Sequence, residues 1–491
     1  VSEKTMKKAT FPEDHKAALL PCQRILFALM LTAGALWLAL SAAMAADWPQ
    51  FQRDPARSGL TSDPAPSSGA AAAWKAFTAT AGCSGIDTTP VCAEGKVFVL
   101  SIAGKVFAFD AVSGAALWNR DLGTQSPFTF ELSTPAYAGG RLFVAQQDGR
   151  LWALDAGTGT TIWGPVQLGA VSDQINTPLT YADGRIYVGS AFGNKTYYCL
   201  DATNGSLVWA RTGTHGKGYY WAGGCVIGDY LVYGDDAGWI TSVNRVTGAL
   251  ADEENLAVIE SDAGAIRSSA SYDAETGRVY FTDQGGHLWA YTFDPFTGDL
   301  AHVWHTEIGW STSTPAVHDG KVYVGYGNYA GAGGLHCVSA ADGALLWTFT
   351  TPGGGGVQSS PVVSVPNGTV RIYFTANGPS SAVYALDNSG QIRWQYTSDE
   401  AGTEAGYILQ GVALSEGRLY FGNDGGYLYA LREAFADWDV NRDGSVNVLD
   451  LVQVGLHFGE SGIPGWIPED VNRDGAINVL DLVAIGAHFV Q

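Results

Sequence analysis

Charge is scarce in this chain. Asp, Glu, Lys and Arg make up 15 % of its 491 residues, against about 25 % in an average soluble chain. Positive charge is scarcest, with 27 Lys+Arg against 48 Asp+Glu and a formal net charge of −21. No basic run lies in the body of the chain, which excludes phosphate-driven nucleic-acid binding and argues against anionic lipid surfaces. The acidity reads as solubility outside the cell. Cysteine is sparse too, six in all, with no CxxC and no adjacent pair, so nothing points to a redox or zinc site. GxSxG, HExxH and a Walker loop are missing. What is abundant is Gly (63) and Trp (16), the turn and strand residues of a β-rich protein, and 46 % apolar content excludes wholesale disorder.

The one long apolar run is Ile25 to Ser41, preceded by Lys7, Lys8, Lys16 and Arg24 and followed by Ala43-Met44-Ala45. A basic start, a short apolar stretch and a small-x-small site form the pattern of a cleaved export signal, here residues 1–45. Cys22 precedes the apolar run, so it is not the lipid-bearing cysteine of a lipoprotein. No later run is long enough to cross a bilayer. The expectation is a secreted or cell-surface protein, with the periplasm as the other compartment. Five cysteines then remain, an odd number; Cys83–Cys92 is the natural short-loop disulfide and Cys199–Cys225 a second candidate.

Between residues 88 and 431 one unit recurs. Thr89-Pro90, Thr134-Pro135, Thr177-Pro178, Thr314-Pro315 and Ser360-Pro361 open copies; Gly95-Lys96-Val97-Phe98-Val99 is the first example of the strand that follows. An Asp-x-x-x-Gly turn comes next (Asp110…Gly114, Asp155…Gly159, Asp201…Gly205, Asp294…Gly298), then a strand ending in Trp. Those tryptophans are Trp118, Trp163, Trp209, Trp304, Trp347 and Trp394; the gap of 95 between the third and fourth holds a copy, Asn244…Gly248, without its Trp. Gly228 and Gly368 head looser copies, which makes eight. Four short antiparallel strands per unit, repeated eight times, predict an all-β, eight-bladed β-propeller over residues 46–433. The last copy lacks its Trp strand, and Ala73-Trp74-Lys75-Ala76-Phe77 before the first copy is expected to supply it and close the ring.

The stretch Gly149 to Trp163 (GRLWALDAGTGTTIW) resembles the pyrroloquinoline-quinone-like repeat, and Trp48 to Asp54 with Arg57-Ser58-Gly59 is similar to the entry segment of those propellers. In the quinoprotein dehydrogenases of that family the resemblance implies a quinone in the central funnel beside an adjacent Cys pair, a calcium ion and an Asp base. No Cys-Cys exists here. The resemblance then implies one of the members that lack the cofactor and serve as binding or scaffold propellers. The blade tryptophans read as inter-blade packing. His302 and His305 form HxxH without a carboxylate-bearing metal motif around them. Paired carboxylates cannot be picked out from spacing, because funnel residues come from different blades.

After Glu433 the character changes. Asp439 to Asp450 is a twelve-residue loop that recurs 31 residues later as Asp470 to Asp481. Positions 1, 3, 5 and 12 are Asp439, Asn441, Asp443 and Asp450 in one copy and Asp470, Asn472, Asp474 and Asp481 in the other. Position 7 (Ser445, Ala476) offers a backbone carbonyl, and position 9 (Asn447, Asn478) a ligand directly or through water. Gly444 and Gly475 allow the sharp turn at position 6, and Val446 and Ile477 supply an apolar position 8. Such hard oxygen ligands at this spacing suit Ca²⁺, two ions in all, held in a structural role; Mg²⁺ is the runner-up. Three aspartates per loop repel one another until a cation enters. Each loop is expected to run into a helix, Val448 to Phe458 and Val479 to Phe489, with Leu451, Val452, Phe458, Leu482, Val483 and Phe489 turned inward.

Residues 435–491 resemble a type I dockerin, the tandem calcium loop–helix module found at the C-terminus of secreted proteins. The resemblance implies a cohesin-like partner or cell-surface scaffold, contacted by Val448 and Leu449 or by Val479 and Leu480; the alternative is that these pairs pack within the module. It also implies an association with polysaccharide breakdown. The sequence thus reads as a secreted, non-catalytic binding propeller carried on a calcium-dependent docking module, its own ligand a glycan or protein. The competing class is an enzyme, either a quinone-dependent dehydrogenase or a carbohydrate-active subunit.

Overall fold

The computed structural model describes residues 47–78, 85–102, 104–124, 131–329, 331–378, 380–436, 438–442, 445–463 and 467–489. The expected export signal, Cys83, Asp443 and Gly444 lie outside them.

Eight antiparallel sheets of four strands stand among the described residues, one per repeat. Blade 1 shows the plan: Val91–Ala93, Lys96–Ser101, Lys105–Asp110 and Ala116–Asp121, in chain order from the inside out. Blades 2 to 7 open with the inner strands Ala136–Ala138, Thr180–Ala182, Cys225–Ile227, Ser271–Asp273, Ala316–His318 and Val362–Ser364. The sequence alternation explains the burial. Second strands such as Arg141–Ala145 are buried on both faces because each sheet is sandwiched between two neighbours. Outer strands such as Ala116–Asp121 are largely exposed and carry the polar residues that discourage edge pairing.

Blade 8 consists of Ala413–Ser415, Arg418–Gly422 and Tyr427–Glu433, and its fourth strand is Ala70–Phe77. That strand pairs from Ala70↔Glu433 to Phe77↔Tyr427, so the N-terminal segment closes the ring as the sequence implied. A second N-terminal piece, Leu60–Thr61, adds in parallel to Val362–Ser364 of blade 7.

The recurring Trp and the recurring turn turn out to be two halves of one contact. Trp118 of blade 1 donates its indole N–H to Ala156 O in the turn of blade 2 (3.0 Å). Trp74, Trp163, Trp209, Trp304 and Trp347 make the equivalent bond to the next blade. The ring covers the turn glycine so closely that a Cβ on Gly114 would lie 2.5 Å from Trp74, and Gly114 has φ +70°. Asp110 holds the same turn by accepting from Ser113 N (2.8 Å) and Val112 N (3.2 Å), which pulls its carboxyl below the usual range. Blade 4, which lacks the Trp, uses another residue: Tyr230 packs on Gly298 and donates to Phe296 O (2.9 Å).

The Ser/Thr-Pro starts have a separate task. Thr89 N donates to Thr134 Oγ1, Ser269 N to Thr314 Oγ1 and Thr314 N to Ser360 Oγ, at 2.9–3.2 Å. Each hydroxyl thus links one blade to its neighbour around the axis.

Cys92, Cys199, Cys225 and Cys337 are unbridged and buried. The Cys199–Cys225 pair is therefore corrected: Cys199 faces a tyrosine-rich core with Tyr187, Trp209 and Tyr233, while Cys225 belongs to the core between blades 4 and 5. The Cys83–Cys92 bridge involves a residue outside the described set.

Two helices follow the propeller, α1 (Val448–Leu456) and α2 (Val479–Gly486). Asn447 and Asn478 cap them, each closing a capping box with the aspartate three residues on. Both are shorter than expected. Gly455 and Gly486 weaken the last turn, where His457 N bonds back to Val454 O and His488 N to Ile485 O. The inward faces also differ by one residue: Val454, Ile477 and Ile485 form the small core with Leu451 and Leu482, while Val452, Phe458, Val483 and Phe489 are exposed. One residue is a 100° rotation on a helix, enough to exchange core for solvent.

Candidate functional site

Two regions collect chemistry-bearing residues: the acidic loops of the tail and one end of the propeller axis.

In the tail, the two loops fold alike. Asp450 accepts from Asn441 N (3.0 Å) and Asn447 N (2.8 Å); Asp481 accepts from Asn472 N (3.1 Å) and Asn478 N (2.9 Å). Asn447 Nδ2 donates to Ser445 O and Asn478 Nδ2 to Ala476 O. Position 4 is left-handed in both, Arg442 at φ +58° and Arg473 at φ +57°. Asp470 accepts from Asp474 N (3.1 Å) and Gly475 N (3.0 Å), and Asp474 N also donates to Asn472 Oδ1 (2.9 Å). Asp439, Asp450, Asp470 and Asp481 are all buried.

Do these residues fit a hard cation? The donors are all oxygen, and among the described residues Asp450 and Asp481, fully buried, have only backbone N–H groups as partners, an arrangement costly for a carboxylate without a cation. Among the described residues, however, no three His, Cys, Asp or Glu converge closely enough to hold a metal ion. The donor chemistry fits a hard cation; a converged cage is absent among the described residues.

Val448, Leu449, Val479 and Leu480 are exposed, so they do not pack within the module. With Val452 and Leu456 on α1 and Val483 on α2 they give each helix an apolar, solvent-facing side.

In the propeller, residues 47–61 cover one end of the axis. Trp48 pairs with Cys92 of blade 1, and Pro49 O, Pro55 O and Ala56 O accept from Tyr137 N, Val226 N and Tyr272 N of blades 2, 4 and 5. Arg57, fully buried, donates to Phe51 O, Leu179 O and Gly224 O, and burial pulls its guanidinium down to about 10. Phe51 lines a small axial cavity of about 30 Å³ together with Trp221 and Leu409.

Beyond that cavity the axis opens into a cleft of about 540 Å³, whose lining includes Asp87, Tyr220, Trp221, Tyr329, Asn377, Tyr407 and Asp424. They come from the loops ahead of the inner strands of blades 1, 4 and 8 and from the loops between the second and third strands of blades 6, 7 and 8. The Asp87 and Asp424 carboxyls face each other, and burial raises both above the carboxylate range, the Asp87 charge raising Asp424 further. Nearby, Glu131 is pushed up to about 8 by burial and accepts from Gln147 N (2.7 Å). No residue of this cleft stands out in the sequence. The one signal available was the departure of these loops from the repeat. None of the described cysteines lines the cleft.

His302 and His305 sit on the outer strand of blade 5, their ring nitrogens 3.2 Å apart, with Glu260 3.6 Å from His305 and Trp289 stacked beneath it. They are far along the blade from the axis and belong to no group able to hold a metal among the described residues.

A family model described as outer membrane protein assembly factor BamB matches residues 63–170 and 275–439, more than half of the chain. The chain belongs to this family. Among solved structures, BamB from Moraxella catarrhalis is similar at 17 % identity and TM-score 0.56, over 75 % of this chain and 98 % of that one. The computationally designed Ika8 protein (16 % identity, TM-score 0.51, 71 % and 96 % covered) and a europium-containing methanol dehydrogenase (14 %, 0.51, 79 % and 98 %) share the fold. No curated protein matches the chain significantly. At these identities the likeness to the BamB structure and the dehydrogenase is one of architecture. No helix among the described residues is long and apolar enough to cross a membrane.

Proposed function

We propose that this BamB-family propeller is an exported binding protein, held in place by its C-terminal tandem loop–helix module, which docks on a cohesin-like partner or cell-surface scaffold when Ca²⁺ is bound. The observation that carries the reading is the division of labour in the tail. Both halves bury their first and last loop aspartates, Asp439 and Asp450 or Asp470 and Asp481, and leave matching apolar residues, Val448, Leu449 and Val452 or Val479, Leu480 and Val483, facing solvent. An apolar surface maintained at equivalent positions of two halves is what a protein partner covers. Asp439, Asn441, Asp443, Ser445 O, Asn447 and Asp450 would hold one ion, and Asp470, Asn472, Asp474, Ala476 O, Asn478 and Asp481 the other. Bound calcium would neutralise the loop carboxylates and fix the angle at which each helix leaves its loop.

The propeller is read as a binding body rather than a quinone enzyme, because the adjacent cysteine pair of the dehydrogenase resemblance is missing from the sequence and the described cysteines are packed inside blades. Export, removal of residues 1–45 and a place outside the cytoplasm belong to the same proposal.

The test uses the full chain. Calcium titration by calorimetry should give two sites, and Asp450→Ala with Asp481→Ala should remove both. Capture of a cohesin-type protein should need calcium and should weaken with Leu449→Asp plus Leu480→Asp. Capture that is equally strong in chelator would sink the docking reading.

A further inference from the structure

The cleft on the propeller axis has hydrogen-bonding groups with nothing to bond to. Asn377 is 6 % exposed; its Nδ2 donates to Gln358 Oε1 (2.8 Å), but its Oδ1 has no partner among the described residues. Trp221, on the same wall, has an indole N–H with no acceptor among the described residues. One orphan is an acceptor and the other a donor. The paired Asp87 and Asp424 carboxyls line the same cleft and add further oxygens to it. Trp221 is held at φ +67°, a conformation that costs a bulky residue energy and here keeps its ring in the cleft.

Around these polar groups stand flat apolar faces. Tyr329 is 58 % exposed on the rim, and Tyr220, Trp221 and Tyr407 are half-buried. Tyr220 is braced from behind, with the Arg267 guanidinium 4.6 Å from its ring and itself held by Asp236 at 2.8 and 3.0 Å.

A quaternary ammonium would suit the rings but could neither donate to Asn377 Oδ1 nor accept from Trp221. A hydroxyl does both. A ring that carries several hydroxyls at its edge and C–H bonds on its face matches aromatic walls and mixed donors together. We infer that this cleft is a saccharide-binding site, taking a short stretch of a neutral oligosaccharide with its ring faces on Tyr329, Trp221 and Tyr407 and its hydroxyls on Asn377, Asp87 and Asp424. At about 540 Å³ the cleft lies in the ordinary range for a small-molecule site. The proposal is independent of the docking reading, since none of these residues lies in the tail.

Binding is measured on the full chain in chelator, which silences the tail, by tryptophan fluorescence and calorimetry. The probes are cellotetraose, xylotetraose, mannotetraose and chitotetraose, with tetramethylammonium as the competing class. At least one saccharide should bind saturably, and Tyr329→Ala, a rim change that leaves the core intact, should weaken it by about tenfold or more. Asp424→Asn, which keeps the shape of the protonated acid, should shift affinity while circular dichroism is unchanged. The proposal fails if no probe binds below roughly 10 mM, if both variants bind as the parent does, or if only tetramethylammonium binds.

Discussion

Arg57 is the sharpest place to test how the propeller is held shut at its covered end. Its guanidinium is fully buried, has no carboxylate within ion-pair distance among the described residues, and donates to Phe51 O (2.6 Å), Leu179 O (3.0 Å), Gly224 O (3.2 Å) and the Thr180 hydroxyl. One side chain thus ties the N-terminal segment to blades 3 and 4. Arg57→Met keeps the aliphatic stem and removes all four bonds. Bonds to a charged donor contribute about 1.5–3 kcal/mol each. Against that sum stands the relief of taking a buried charge away; three carbonyls left unsatisfied at about 1–3 kcal/mol each, less that relief, put the net loss at about 3–5 kcal/mol. In a chain this long that is a fall in Tm of about 3–6 °C. Differential scanning calorimetry gives the shift, and fluorescence should move to the red as Trp48, fully buried beside Cys92, meets water. A variant that melts within about 1 °C of the parent would refute the idea that these carbonyls depend on the guanidinium.

Two further outcomes follow from packing and titration. Gly159→Ala places a Cβ 2.6 Å from the Trp118 ring at φ +71°, so it should destabilise the contact between blades 1 and 2 by about 1–3 kcal/mol, read from the urea midpoint. Glu131 has a carboxyl raised to about 8, so the folded state holds a proton that the unfolded state releases near its ordinary value. That contribution is complete in acid and is lost as pH rises from about 4.5 towards 8, at about 1.4 kcal/mol per unit. Glu131→Gln should match the parent near pH 4.5 in thermal melts and exceed it at pH 8; parallel curves would show that Glu131 does not titrate in the fold.

The ring was legible because its periodic residues answer one another. Trp118 and Gly159 recur at fixed spacing since each blade must set an indole on its neighbour's turn, and a contact repeated around a ring leaves a repeated trace. Where the Trp is missing, Tyr230 from a different strand reaches the same turn, which no spacing rule foretold. The cleft was illegible for the opposite reason. Asp87 and Asp424 are neighbours only because the circle closes, and Asn377 and Trp221 sit in loops that each blade varies freely. In the tail, the acidic spacing located the loops, but the helix faces were misjudged by one residue because Val452 and Leu451 are equally apolar and only Leu451 joins Val454 in the core.

Closing the circle with the first strand has a mechanical side. Glu433 ends the strand that zips onto Ala70–Phe77, and its carboxylate also grips the Ser68 and Gly69 amides. The tail leaves the propeller from that residue. If the tail tethers the molecule as proposed, tension would enter at the seam, along a strand flanked on both sides, where many hydrogen bonds would have to give way together rather than unzip in turn.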